Sequence, residues 1–125
     1  MKHVLVAVAW PYANGPLHLG HMAGCYLPAD IFARYHRLKG NQVLMVSGSD
    51  MHGTPIMVTA QQEGAEPEEV ALRYHEINSR SMEQMGISFD LFTHTHTPEH
   101  QAVVHEIIGR LDDAGYIEPR TTTAP

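Results

Sequence analysis

The sequence predicts an α/β protein built on a parallel sheet flanked by helices. Three observations lead there. Short apolar runs at residues 4–9 and 42–46 alternate with longer stretches of helical period. The first run is continuous and β-branched, the pattern of a strand buried on both faces. Prolines 55, 67 and 98 stand where helices open, and glycines 40, 86 and 115 where helices end.

Taken in order, residues 4–9 are the first strand. Residues 10–17 hold two prolines and Asn14-Gly15 and form a shaped loop. A helix begins near Leu17 or His18 and runs to about Lys39. Ile31, Phe32, Tyr35 and Leu38 recur along it at helical spacing, and Pro28 marks a kink or a junction of two helices. Residues 42–46 are a second strand ending in Ser47-Gly-Ser-Asp50. Thr54 is placed to cap a short helix, with Pro55 at its first position, running to about Glu63. Pro67 opens the next helix, with Val70, Tyr74, Ile77 and Met85 as its apolar stripe. Glu66, Glu68 and Glu69 suit the dipole at its start. Residues 89–93 are a third strand. A last helix starts at Thr97-Pro98, with Val103, Val104, Ile107, Ile108 and Leu111 facing inward. Residues 116–120 begin another strand and 121–125 are loop. There is no internal repeat, low-complexity segment or linker.

The bulk numbers set limits. The 125 residues suit one domain, with 43% hydrophobic and 18% charged residues. Eight Lys and Arg against 14 Asp and Glu give a formal charge of −6. No strong nucleic-acid patch is visible in this segment. Cys25 is the only cysteine, which excludes an internal disulfide and a multi-cysteine zinc site. No run is long enough to span a membrane, so no membrane partner is expected, and a cytoplasmic location is the default.

The chain is organised around Trp10-Pro-Tyr-Ala-Asn-Gly-Pro-Leu-His-Leu-Gly-His21. In parallel sheets, ligands bind beyond the carboxyl ends of the strands. This stretch follows the first strand, and Asp50-Met-His-Gly-Thr-Pro55 follows the second. Both are therefore expected on one sheet edge. His18 and His21 at i and i+3 share a helix face, beside the free N–H groups of a first turn. That arrangement suits a polyphosphate. Gly20 has no Cβ to keep a base or sugar away. His94, His96, His100 and His105 invite a metal reading, but solvated surface is the expectation. Met45, Met57, Met82 and Met85 are read as core filler.

Trp10-Pro-Tyr-Ala-Asn-Gly, His18-Leu-Gly-His21 and Asp50-Met-His-Gly-Thr-Pro55 together resemble the class I aminoacyl-tRNA synthetases, and among them the methionyl branch. Gln61-Gln62, Phe89-Asp90 and Gly115-Tyr-Ile117 are similar too. The resemblance implies a Rossmann-like sheet, with residues 1–125 as the first half of a catalytic domain. It implies ATP with Mg2+, L-methionine, and tRNA(Met) as a partner of the full-length enzyme. The activity it implies is activation of methionine to methionyl-adenylate and transfer to tRNA. His18 and His21 then stand as catalytic residues on the triphosphate. Asn14, Gly15 and Gly20 stand with them around ATP. Trp10, Tyr12 and Asp50 stand around methionine, with Asp50 on its ammonium group. Trp10 replaces the aliphatic residue of many relatives, and Met51 replaces a residue that is often acidic. There is no Lys-Met-Ser-Lys-Ser motif, no second half of the nucleotide fold, no zinc knuckle and no anticodon-binding domain. The chain thus reads as an N-terminal fragment with little activity alone, zinc belonging to the parent enzyme if anywhere. Two other readings stay open: a small His-x-Gly-His nucleotidyltransferase, and a non-catalytic ATP-binding fragment.

Overall fold

A computed structural model describes residues 1–121. It separates into two compact units, Met1–Thr95 and His96–Pro125. The first unit carries β1 (His3–Ala7), α1 (Leu19–His21), α2 (Leu27–Leu38), β2 (Gln42–Ser49), α3 (Thr54–Glu63), α4 (Pro67–Gln84) and β3 (Leu91–His94). The strands form one parallel sheet in the order β1-β2-β3, as the alternation of elements predicts. Leu5 pairs with Leu44, Val6 with Met45, and Val46 with Leu91.

The first strand is not buried on both faces. Val4 and Val6 are half-buried, while Leu5 is 66% exposed. Among the described residues, the side carrying Val6, Met45 and Phe92 packs into a core, against Met22, Tyr26 and Ala33. Leu44 and Leu91 lie exposed on the other side with Leu5. A continuous apolar run shows that a strand has two apolar sides; it does not supply the layer that covers the second. A separate cluster of Ala13, Met51, Ile56, Ala60, Val70 and Ala71 joins α3 and α4 to the loop after β1.

The helix expected from residue 17 to 39 is three pieces. α1 is followed by a π-helical turn, Met22–Tyr26, and then by α2. Pro28 sits in the first turn of α2, where it has no N–H to satisfy. The break falls just before the proline, as a widened turn rather than a sharp bend. Gly40 takes a φ of +73° beyond α2, the left-handed conformation that a glycine adopts without strain.

Asp30 on α2 is buried and accepts from the backbone N–H and the hydroxyl of Ser88, both at 2.8 Å, and from Arg34. Burial opposes its charge, but these bonds outweigh it and hold the carboxyl below the usual range. Arg37 reaches Ser88 and Asp90 from the same helix, and Asp90 also accepts from the Met45 N–H at 2.7 Å. Together they pin the turn before β3.

Several expectations shift. α3 begins at Thr54 itself with Gly53 as its cap, one residue earlier than expected. β2 extends to Ser49, and β3 starts at Leu91 rather than at residue 89. The buried face of α4 runs through Val70, Ala71, Asn78 and Met82, so Ile77 and Met85 of the expected stripe are exposed. Met57 is exposed as well, so of the four methionines read as core filler Met45 and Met82 are buried. His94 is not solvated surface; it is half-buried with its ring 4.9 Å from that of His75.

In the second unit, α5 (Pro98–Asp113) opens on Thr97, whose hydroxyl accepts from the His100 N–H at 3.1 Å. Its apolar residues Val103, Val104, Ile107, Ile108 and Leu111 are exposed, against the expectation of an inward face. An amphipathic stripe announces a contact, and the described residues of this short unit hold no second layer to make one. Residues 116–120 form no strand. The expected loop 121–125 lies outside the described residues after position 121. Among the described residues no helix is long and apolar enough to cross a membrane.

Candidate functional site

The loop after β1 does not hang free. Pairing continues past the strand: Val8 N–H donates to the Val46 carbonyl at 2.9 Å. Further on, Tyr12 and Asp50 form an isolated parallel bridge. Asp50 N–H donates to the Pro11 carbonyl at 2.8 Å, and Ala13 N–H to the Asp50 carbonyl at 3.0 Å. The two motifs therefore share one edge and are joined through their backbones.

Side chains from four elements hold the same loop. The Ser47 hydroxyl of β2 lies 3.2 and 3.3 Å from the carbonyls of Val8 and Ala9. Tyr26 donates to Ala9 at 3.4 Å; burial, with Cys25 adding, pushes its phenol up to about 12, so it stays protonated. Thr59 of α3 donates to the Asn14 carbonyl at 3.2 Å. Asn78 of α4 accepts from the Leu17 N–H at 3.0 Å and donates to the Gly15 carbonyl at 3.1 Å.

The histidine pair organises itself. Nδ1 of His18 accepts from the Gly20 N–H at 3.0 Å, and Nδ1 of His21 accepts from the His18 N–H at 3.3 Å. The rings lie 3.9 Å apart at 34°. A neutral ring that accepts at Nδ1 carries its proton on Nε2. Each exposed ring therefore offers one Nε2–H donor. The free backbone donors expected in this turn are mostly taken. Gly20 and His18 N–H groups go to the rings, and those of His21 and Met22 go to the His18 carbonyl. Residue 18, acting as a cap, consumes them. Gly20 also has a different reason from the one expected: a Cβ there would stand 2.9 Å from the His18 ring.

Asp50 uses one oxygen internally. Its Oδ1 accepts from the His52 N–H at 3.1 Å and faces the Thr95 hydroxyl at 3.5 Å. Thr95 in turn accepts from the Met51 N–H at 2.8 Å. Met51 is buried in the Ala13–Ile56 cluster, so it serves packing under the site. The two aromatics rest on glycines, Gly48 and Gly53. A Cβ on Gly48 would meet the Trp10 ring at 2.6 Å, and one on Gly53 the Tyr12 ring at 2.9 Å. A glycine inside a strand pattern is the signal that could have marked Gly48.

A cavity of about 490 Å³ opens beside this loop. Trp10, Tyr12, Asn14, Gly15 and His21 line it together with Leu17, Cys25 and Tyr26. His18, Gly20 and Asp50 are outside that lining. His18 joins through its contact with His21, and Asp50 through its pairing with Tyr12. Among the described residues no group of three or more His, Cys, Asp or Glu is placed to hold a metal ion.

The family described as tRNA synthetases class I (M) matches residues 4–125. A methionine–tRNA ligase of Thermomicrobium roseum is 62% identical over 116 residues, covering 93% of this chain and 20% of that protein. A Mycobacterium tuberculosis methionyl-tRNA synthetase solved with methionyl-adenylate superposes with a TM-score of 0.83 at 32% identity, over 92% of this chain and 22% of that one. A LeuRS of Agrobacterium radiobacter, solved as a ternary complex with tRNA and LeuAMS, gives 0.85 at 28% identity, over 91% and 15%. The chain spans about a fifth of the length of the curated relatives it matches. With the paired motifs on one edge of a parallel sheet and a family match over nearly its whole length, the chain belongs to the tRNA synthetases of class I (M).

Proposed function

We propose that residues 1–125 are the N-terminal part of the nucleotide-binding catalytic domain of a methionine–tRNA ligase. In the whole protein this part binds ATP and L-methionine, and the methionyl group then passes to tRNA(Met), in the cytoplasm. The observation that carries this reading is the backbone bridge between Tyr12 and Asp50. It pairs the backbones of Tyr12 and Asp50 on the edge from which the loop runs on to His18 and His21, which supports one site for both ligands there.

The chemistry needs no general base, because the methionine carboxylate is already ionised. Its oxygen attacks the α-phosphorus of ATP. A new P–O bond forms, the bond to the bridging oxygen breaks, and pyrophosphate leaves with that electron pair. The protein contributes in-line placement and donors for the charge on the phosphate oxygens. The Nε2–H groups of His18 and His21 are suited to that. Asn14 and Gly15 line the approach, and Gly20 lets the turn close under it. Trp10 and Tyr12 offer ring faces to a thioether. The Asp50 carboxylate, with Oδ1 held by His52 and Thr95, presents Oδ2 to the ammonium group. Mg2+ would arrive on the ATP phosphates. Any zinc would be held in the longer enzyme.

The test is methionine-dependent exchange of pyrophosphate into ATP by the protein that carries this chain. Exchange driven by methionine and not by other amino acids is expected. Nucleotidyl transfer to a phosphorylated small molecule, indifferent to methionine, would overturn the proposal in favour of a small nucleotidyltransferase. ATP binding without turnover would favour a non-catalytic fragment.

A further inference from the structure

Asn78 is the buried polar side chain that touches the signature loop from furthest along the sequence. It lies on the inner face of α4 with no exposed surface, following Val70 and Tyr74 at steps of four and preceding Met82 by the same step. An apolar residue would fill that stripe without the penalty of burying an amide. Both ends of the amide are used on one short segment of loop: Oδ1 accepts from Leu17 N–H, and Nδ2 donates to the Gly15 carbonyl. Leu17 immediately precedes His18, whose backbone and ring cap the turn holding both histidines. The opposite end of the loop is fixed separately, through Pro11 and Ala13 to Asp50.

We infer that Asn78 is a positioning residue for the triphosphate half of the site. It sets the height and direction from which the chain enters the His18–His21 turn. The Tyr12–Asp50 bridge sets the methionine half independently. The inference rests on the proposed function for the nature of the two ligands, while the clamp itself rests on geometry.

The test uses two variants in the protein that carries this chain. Asn78→Leu keeps the branched shape in a somewhat larger side chain and removes both bonds. Asn78→Asp keeps the acceptor for Leu17 and turns an oxygen toward the Gly15 carbonyl. Both are expected to lower kcat of methionine-dependent exchange by about ten- to a hundredfold and to raise KM for ATP. KM for methionine is expected to stay within about twofold. Equal rises in both KM values with a fallen thermal midpoint would overturn the inference, since that is the mark of a merely structural residue. Unchanged kinetics would overturn it too, as would failure of both variants to fold. If the unaltered protein shows no methionine-dependent exchange, the proposed function fails, and the affinity for ATP by equilibrium dialysis still reads the clamp. Weaker ATP binding in both variants supports it, and unchanged binding overturns it.

Discussion

Replacing Gly48 by alanine places a Cβ 2.5 Å from the Thr93 carbonyl oxygen and 2.6 and 2.7 Å from two carbons of the Trp10 ring. Thr93 lies opposite Gly48 in the β2–β3 ladder, so its carbonyl is held by the sheet. The indole, 42% exposed, is freer to move. Relief to ordinary contact requires a shift of roughly 0.9 Å, an overpacking that costs on the order of 1–3 kcal/mol. Displacing Trp10 tilts one wall of the pocket proposed for methionine. The expected result is a rise of about tenfold in KM for methionine, near 1.4 kcal/mol, with KM for ATP changing by less than about twofold. Pyrophosphate exchange is titrated with each substrate while the other is saturating, and the thermal midpoint is followed by circular dichroism. Gly109→Ala is the control: its Cβ meets nothing within 4 Å, and within α5 it should stabilise by about 0.5–1 kcal/mol. An unchanged KM for methionine together with an unchanged midpoint for Gly48→Ala would refute the placement of Trp10 on Gly48.

Two further expectations follow from the same geometry. Asp50→Asn keeps an oxygen for His52 and Thr95 but removes the charge proposed to meet the ammonium group. It should weaken methionine by about 2–3 kcal/mol, roughly 30- to 150-fold in KM, with an unchanged circular dichroism spectrum. Burial first, then the neighbouring His94, hold His75 below its ordinary value, with its Nδ1 2.9 Å from the Ser49 hydroxyl. The unfolded chain therefore binds the extra proton more readily. His75 contributes full stability above about pH 6.5, and that contribution is lost as pH falls through the lower folded value. Urea midpoints should drop on acidification across this range, and His75→Gln should flatten that slope; an equal slope in both proteins would contradict the assignment.

What could be read from the sequence was local and periodic. The Pro11-Tyr-Ala-Asn-Gly and His18-x-Gly-His21 order gave the loop and the pair of rings, and the alternation of elements gave a parallel sheet with both motifs on one edge. Long-range hydrogen bonds could not be read. Asn78 reaches the loop across 61 and 63 residues, and nothing in an i, i+4 pattern says that an amide inside it points to a particular carbonyl. Trp10 on Gly48 depends on the register of two strands. The backbone donors of the first turn looked free because a capping role for His18 is an unusual use of that side chain. Residue type alone points apolar side chains inward, yet Leu5, Leu44 and the stripe of α5 are exposed. Periodicity names a face without naming its partner.

The most direct measurement is the single-turnover rate of methionyl-adenylate formation by the protein that carries this chain, unaltered and as His21→Ala. Removing one preorganised donor from the developing phosphate charge should slow that step by about 10²–10³-fold. The thermal midpoint should hold, because the His21 side chain is exposed, accepting from the His18 N–H and resting against the His18 ring. A rate equal to that of the unaltered protein would contradict the assignment of the histidine pair to the triphosphate, and with it the site as described.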